Sequence, residues 1–229
     1  MLQIPLNIEY FSIKNIIIKN NQIIPTAIVT EKSNYILKKN IFSFGKQRIL
    51  KTLMTIPQFE SINVIRAYPD KIVIDIKEKK PWVNLLLNNK DIIIDKTGII
   101  LNMPGTNEID STILPVIKGL PPGVTSDHKI DISTLNMLKN VLTPLETLFK
   151  PEQLQFNLVD ETNIEILADD ILLIKVGDSS FIEQKRTTLK TFLNYIQNRW
   201  NEVEYIDIKC IKNPVIKFKQ ELNLTNQTE

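Results

Sequence analysis

The stretch INVIRAYPDKIVIDIKEKKP, Ile62 to Pro81, decides how the chain is read. Ile62 to Ala67 and Lys71 to Lys77 each have the length and β-branched content of a strand, and Tyr68, Pro69 and Asp70 between them suit a turn. Ile72, Ile74 and Ile76 alternate with polar residues, so the hairpin has one buried face. Glu78 to Pro81 then breaks the pattern, which makes it a junction to a second unit.

Upstream of the hairpin, Tyr10 to Ile18 is apolar and β-branched and predicts a strand, ended by a turn at Asn20 and Asn21. Pro25 can open a short helix through Lys32. A clearer helix follows Gly45, where Ile49, Leu50, Leu53 and Met54 fall at helical spacing before Pro57 stops it. The order is strand, helix, helix, strand, strand, a unit small enough to lay two helices on a three-stranded sheet.

Downstream, short strand signals recur at Val83 to Leu87, Ile92 to Asp95, Ile99 to Leu101, Leu154 to Val159, Asn163 to Leu167 and Ile171 to Val176. They predict a meandering antiparallel sheet. Residues Pro104 to Asp131 are rich in proline and glycine, and little regular structure is expected there. Helices are expected at Ser133 to Leu148, with Pro144 as a kink or break, and at Phe181 to Trp200, with an apolar face of Leu189, Phe192, Leu193, Ile196 and Trp200. Val203 to Cys210 and Pro214 to Lys219 close the unit as paired strands, and residues 221–229 are expected to be a disordered tail. The fold class is therefore α+β: residues 8–80 form a three-stranded sheet with two helices, and residues 81–220 form a mainly antiparallel β domain with flanking helices.

The 229 residues are 43% hydrophobic and 24% charged, which suits folded domains rather than a disordered chain. The net charge of +2 conceals an asymmetry. Residues 1–90 hold 14 Lys and Arg against 6 Asp and Glu, and the remainder holds 14 against 20. Such a basic segment is either simply a solvated face or one that fits an anionic membrane or an acidic partner; nucleic acid fits least, because no aromatic stacking series or Gly-rich clamp accompanies Lys38, Lys39, Lys46, Arg48 and Lys51. Cys210 is the single cysteine, which excludes an intramolecular disulfide and a multi-cysteine zinc site. No apolar run reaches the roughly 20 residues that span a bilayer, and no signal-peptide pattern opens the sequence.

Catalysis finds little support. The one histidine, His128, sits beside Asp127 in the Pro/Gly-rich region and reads as a solvated loop residue. Asp169 and Asp170 are adjacent and read as a hairpin tip rather than a catalytic pair. Nucleotide-binding glycine motifs are absent, so neither a cofactor nor a metal is expected and the chain is read as a non-enzyme. What remains is the last strand. Pro214 cannot donate to a ladder and suits an edge, where lysines limit indiscriminate pairing; on the residues alone the strand is equally an edge simply protected by lysine or one whose backbone accepts an incoming strand.

Several short strings, in their order and spacing, resemble the extracytoplasmic part of the bacterial cell-division FtsQ/DivIB family. They are Phe11-Ser-Ile-Lys-Asn-Ile16, Ile41-Phe-Ser-Phe44, Ile56-Pro57 followed by Ile62 to Asp70, Ile74 to Pro81, Ile94-Asp-Lys-Thr-Gly98-Ile-Ile100, Leu114 to Gly119, and Tyr205-Ile-Asp-Ile-Lys209. The resemblance implies a POTRA domain followed by the family's β domain. It further implies a divisome scaffold in the bacterial inner membrane, with the bulk of the chain periplasmic at the division site and an anchor not contained in this sequence. Implied partners are FtsB- and FtsL-like proteins, with other divisome proteins reached through a POTRA surface at Arg66, Tyr68 and Pro69. The role is to link division to septal peptidoglycan synthesis.

In the family the last strands of the β domain take up a partner strand. The corresponding positions here are Tyr205, Lys209, Cys210, Lys212, Asn213, Val215, Ile216, Lys217 and Phe218. Phe218 keeps the family's aromatic character, while Cys210 and the Lys212-Asn213-Pro214 turn depart from its pattern. Two other readings compete with this one. A POTRA-bearing outer-membrane assembly or secretion component would need many more barrel strands than this chain offers. An envelope hydrolase would need partners for His128.

Overall fold

A computed structural model describes residues 9–121, 123–160, 162–197 and 199–219; the tail expected at 221–229 lies outside them. In chain order the elements are β1 (Asn15–Lys19), α1 (Thr26–Ser33), α2 (Lys46–Leu53), β2 (Phe59–Ala67), β3 (Lys71–Glu78), β4 (Val83–Leu87), β5 (Lys90–Ile94), β6 (Val116–Lys118), β7 (Thr125–Ser126), β8 (Lys129–Ile130), α3 (Ile132–Leu145), β9 (Leu154–Asp160), β10 (Asn163–Ala168), β11 (Leu172–Gly177), α4 (Ile182–Ile196), β12 (Val203–Asp207) and β13 (Val215–Phe218). The chain forms two compact units. Of the described residues, the first takes those up to Pro81 with Ile93–Ile109 and Asp127–Lys129, and the second takes the others.

In the first unit β3 is the middle of a three-stranded sheet ordered β1-β3-β2, parallel to β1 and antiparallel to β2. Ile72, Ile74 and Ile76 are buried as their alternation requires, and so are Val29 of α1 and Ile49 and Leu53 of α2. β1 starts later than expected because the residues before it have another partner. Ile13 N–H donates to the Lys39 carbonyl and Ile41 N–H to the Phe11 carbonyl, so residues 11–13 pair with 39–41 instead of joining the sheet. Glu78, at the expected junction, ends β3 with a structural task. Its carboxylate accepts the N–H groups of Gln22, Ile23 and Ile24 at 2.8, 2.7 and 2.8 Å, which fixes the backbone entering α1.

The second unit is built on an eight-stranded sheet ordered β13-β12-β11-β10-β9-β6-β4-β5. The β9-β10-β11 meander is antiparallel as expected, with Asp169 and Asp170 at positive φ in the β10–β11 turn. The sheet is nevertheless mixed: β4 and β6, β6 and β9, and β11 and β12 pair in parallel. Parallel neighbours need a crossover, and α4 supplies the one between β11 and β12. The Pro/Gly-rich region is also more ordered than its composition suggests, since it holds β6 and the small β7–β8 pair. Gly119 shows why glycine ends β6: at φ +82°, an added Cβ would meet the Leu158 carbonyl oxygen at 2.1 Å.

α3 begins at Asp131, whose carboxylate accepts from Thr134 N–H at 2.9 Å, and it runs through Pro144 to end one residue later. Burial of Leu135, Leu138, Val141, Leu142 and Leu145 defines its inner face. α4 buries Leu189 and Ile196, and also Lys185, which is 1% exposed. The Lys185 ammonium donates to the carbonyl and to Oδ1 of Asp178, both at 3.0 Å, so its charge is paired where it is buried.

Candidate functional site

β13 is the terminal strand of its sheet, with β12 on one side and no strand on the other among the described residues. Its register sets Asp207 opposite Val215, Ile206 opposite Ile216, Tyr205 opposite Lys217 and Val203 opposite Phe218, with an irregularity near Glu204. The ladder extends one bond further, from Lys219 N–H to the Glu202 carbonyl at 2.8 Å. Pro214 precedes the strand, where its missing N–H costs no pairing. Ile216 is half-buried, while Val215 and Phe218 are exposed.

Tyr205 organises the outward face. Lys175 Nζ lies 4.0 Å from its ring centroid and Lys217 Nζ 5.4 Å from it. Lys217 also donates to Glu204 Oε1 at 3.0 Å, and this hydrogen bond, with the carboxylate's charge, raises the ammonium's pKa above its ordinary value. The exposed Phe218 ring faces the Arg199 guanidinium at 5.9 Å. Neither Lys175, Glu204 nor Arg199 stands out in the sequence, because cross-strand neighbours are fixed only once the parallel β11–β12 pairing is known.

The turn between β12 and β13 carries the remaining expected positions. Lys209 N–H donates to Asp207 Oδ1 at 2.9 Å, its ammonium reaches Asn163 Oδ1 at 3.4 Å, and Asn213 N–H donates to the Cys210 carbonyl. Cys210, Lys212 and Asn213 are exposed. From Lys209 to Lys219 there are four lysines and no acidic residue, so the rim is cationic. An incoming strand would meet unpaired backbone groups and a positive field.

In the first unit the three expected surface residues divide. Tyr68 is exposed and stacks on Phe42, with Pro69 beside it in a cis peptide. Arg66 is half-buried and internally engaged, its Nε donating to the Ile41 carbonyl at 2.8 Å and its guanidinium lying over Phe44. His128 is exposed in the β7–β8 turn. Among the described residues no group of three or more His, Cys, Asp or Glu could hold a metal ion, and no helix is long and apolar enough to cross a membrane.

Comparison with known proteins matches both units. A family model for the POTRA domain, FtsQ-type, fits residues 11–79, and one for the cell division protein FtsQ/DivIB, C-terminal, fits residues 85–209. The chain is 26% identical over 226 residues to the cell division protein DivIB of Clostridium botulinum strain Hall, covering 94% of this chain and 85% of that one. It is 23% identical over 216 residues to DivIB of Clostridium tetani, covering 92% and 80%. The cell division protein FtsQ of Koribacter versatilis is 20% identical over 181 residues, covering 76% and 50%. Two models in the order of the two sheets, the second alone spanning more than half of the sequence, mean that the chain belongs to the FtsQ/DivIB family.

Proposed function

We propose that this chain is a non-catalytic division scaffold that accepts a strand of an FtsB- or FtsL-like partner on the free side of β13. The reading places it at the outer face of the bacterial inner membrane, at the division site, where it links division to septal peptidoglycan synthesis. Residues 8–80 act as the POTRA domain and 81–220 as the β domain, in keeping with the matched ranges 11–79 and 85–209. The relatives' names support the division role.

The observation that carries the reading is the rim position of a short β13, which holds Lys217, is flanked by Lys212 and Lys219, and pairs on one side only among the described residues. Backbone bonding gives strand addition its affinity, and the surrounding charge selects the partner, which should therefore be acidic. The departures at Cys210 and in the Lys212-Asn213-Pro214 turn leave such pairing intact, since they fall before the strand.

A pull-down of the purified chain with the extracytoplasmic segments of FtsB- and FtsL-like proteins from the same genome tests this. Lys217→Glu with Lys219→Glu should weaken capture at least tenfold, and deletion of residues 214–219 should abolish it. Capture unchanged by both variants would move the partner site away from β13, and no capture by the unmodified chain would overturn the strand-addition reading.

A further inference from the structure

Four aromatic rings from three separated segments form one continuous surface in the first unit, beside the start of β1 and the β2–β3 turn. Tyr10 meets Phe11 edge-on with centroids 5.0 Å apart, Phe11 meets Phe42 at 5.2 Å, and Phe42 stacks on Tyr68 at 5.3 Å. Tyr10 is 57%, Phe42 51% and Tyr68 60% exposed. Isolated exposed apolar residues are ordinary, but a contiguous aromatic set marks a contact surface. Phe44, only two residues from Phe42, is buried, so the core has its own aromatic residue here and Phe42 is left outside it.

The surroundings are cationic. Lys14, Lys38, Lys39 and Lys71 are exposed, and Lys38 and Lys39 are tied to the start of β1 through backbone bonds with Ile13. Asp70 is shielded and lies 3.9 Å from the Lys14 ammonium, which leaves Glu9 as the exposed acid nearby. A depression of about 650 Å³ opens beside Tyr10, lined also by Glu9, Ser12, Ile13, Lys14, Leu37 and Lys38. Its two lysines outnumber its one carboxylate, and Ile13 and Leu37 make part of the lining apolar.

We infer that this aromatic and lysine surface docks on an anionic lipid bilayer, with the rings in the headgroup layer, the lysines on phosphates, and the depression beside Tyr10 holding one headgroup. Tyrosine and phenylalanine rings suit the membrane–water interface, and lysines near an anionic leaflet add attraction that needs no fixed geometry. The donors favour lipid over a folded acidic protein. Lysine is a point charge on a flexible stem and suits mobile phosphates, whereas arginine provides the rigid fork that matches a fixed carboxylate. Two arginines lie near this surface: Arg66 has its Nε engaged by the Ile41 carbonyl, and Arg48 lies over the Tyr35 ring that it shares with Lys39.

The inference does not rest on strand addition at β13, and its test uses no division partner. The purified chain is floated with phosphatidylcholine vesicles, or with vesicles containing about one third phosphatidylglycerol, at about 0.1 M salt. Binding should occur on the anionic vesicles only. Lys14→Gln, Lys38→Gln and Lys39→Gln together should lower partitioning about 100-fold, since each basic residue near the surface contributes roughly fivefold. Tyr10→Ser with Phe42→Ser should lower it about tenfold with an unchanged circular dichroism spectrum, whereas Lys212→Gln with Lys217→Gln should leave it unchanged. Phe42→Trp should add a blue-shifted emission component on anionic vesicles. Equal binding to both vesicle types, or full binding by the Tyr10/Phe42 variant, overturns the inference. So does binding to polyglutamate as strong as to vesicles without any Phe42→Trp shift, because the partner would then be an acidic polypeptide.

Discussion

β3 and β13 each set isoleucine beside lysine, at Ile76-Lys77 and Ile216-Lys217, yet one is the middle of its sheet and the other its rim. β3 pairs with β1 along five residues and with β2 along most of its own length, and it buries Ile72, Ile74 and Ile76. β13 pairs with β12 alone, through four residues, and its one inward isoleucine, Ile216, is only half-buried. Composition therefore says little about what a strand contributes. Two-sided pairing and the removal of side chains from water set its weight, and a strand that lacks both is left available for another chain.

The sharpest way to break this contrast is to truncate the same residue type in each strand. Ile74→Ala removes fully buried methyl groups from a two-sided site and should cost about 4 kcal/mol. Ile216→Ala should cost about 1 kcal/mol or less, because its side chain is already partly hydrated and the rim can relax around it. Urea unfolding followed by circular dichroism measures both. Equal losses would show that β13 is as much a part of its core as β3 is of its own, and would remove the argument that it is free to exchange partners.

A second contrast concerns how each unit stabilises a loop with one charge. Glu78 in the first unit works at a half-buried strand end and collects backbone N–H groups. Lys185 in the second unit is buried and holds the Asp178 loop by two bonds. Lys185→Ala should cost about 3 kcal/mol, through the cavity left by its stem and the lost loop contacts. Lys185→Met should cost about 1 kcal/mol, because it keeps the packing and removes the desolvated charge. The two tryptophans, Trp82 and Trp200, both belong to the second unit, so their fluorescence follows it directly. A Lys185→Met variant as damaged as Lys185→Ala would mean that the charge, not the stem, matters at this site.

The β2–β3 hairpin was legible because its signal is local: period-two alternation on both sides of a Tyr-Pro-Asp turn. The rim strand was legible for a similar reason, with Pro214 and alternating residues giving its position. Lys185 was not, since it stands between Gln184 and Arg186 and reads as one more solvated charge on α4; only the return of the 178–180 loop buries it. β6 was hidden because three residues after a proline make a strand only when β4 and β9 lie on either side. The aromatic surface was equally invisible as a unit, since Phe11, Phe42 and Tyr68 are brought together by tertiary structure alone.

The smallest effect expected is one of pH. Asp110, Asp131 and Asp178 all lie in the second unit and all have lowered pKa values. Asp131 falls from 3.8 to about 2, chiefly through the Ser133 hydroxyl and then Thr134, and Asp178 falls equally far, chiefly through the Ser180 hydroxyl and then Lys185. A carboxyl group more acidic in the folded than in the unfolded chain stabilises the fold above the unfolded value, and that contribution is lost as protons bind. The stability of the second unit should therefore decline as the pH falls from about 4 to about 2. Both carboxylates are largely hydrated, so the decline should be modest. Urea midpoints read by tryptophan fluorescence at several pH values measure it, and Asp178→Asn should flatten the slope while lowering the midpoint at neutral pH. A slope unchanged in Asp178→Asn would assign the acid sensitivity to Asp110 and the Asp131 cap of α3, and the Lys185 loop would then contribute the same stability at every pH in this range.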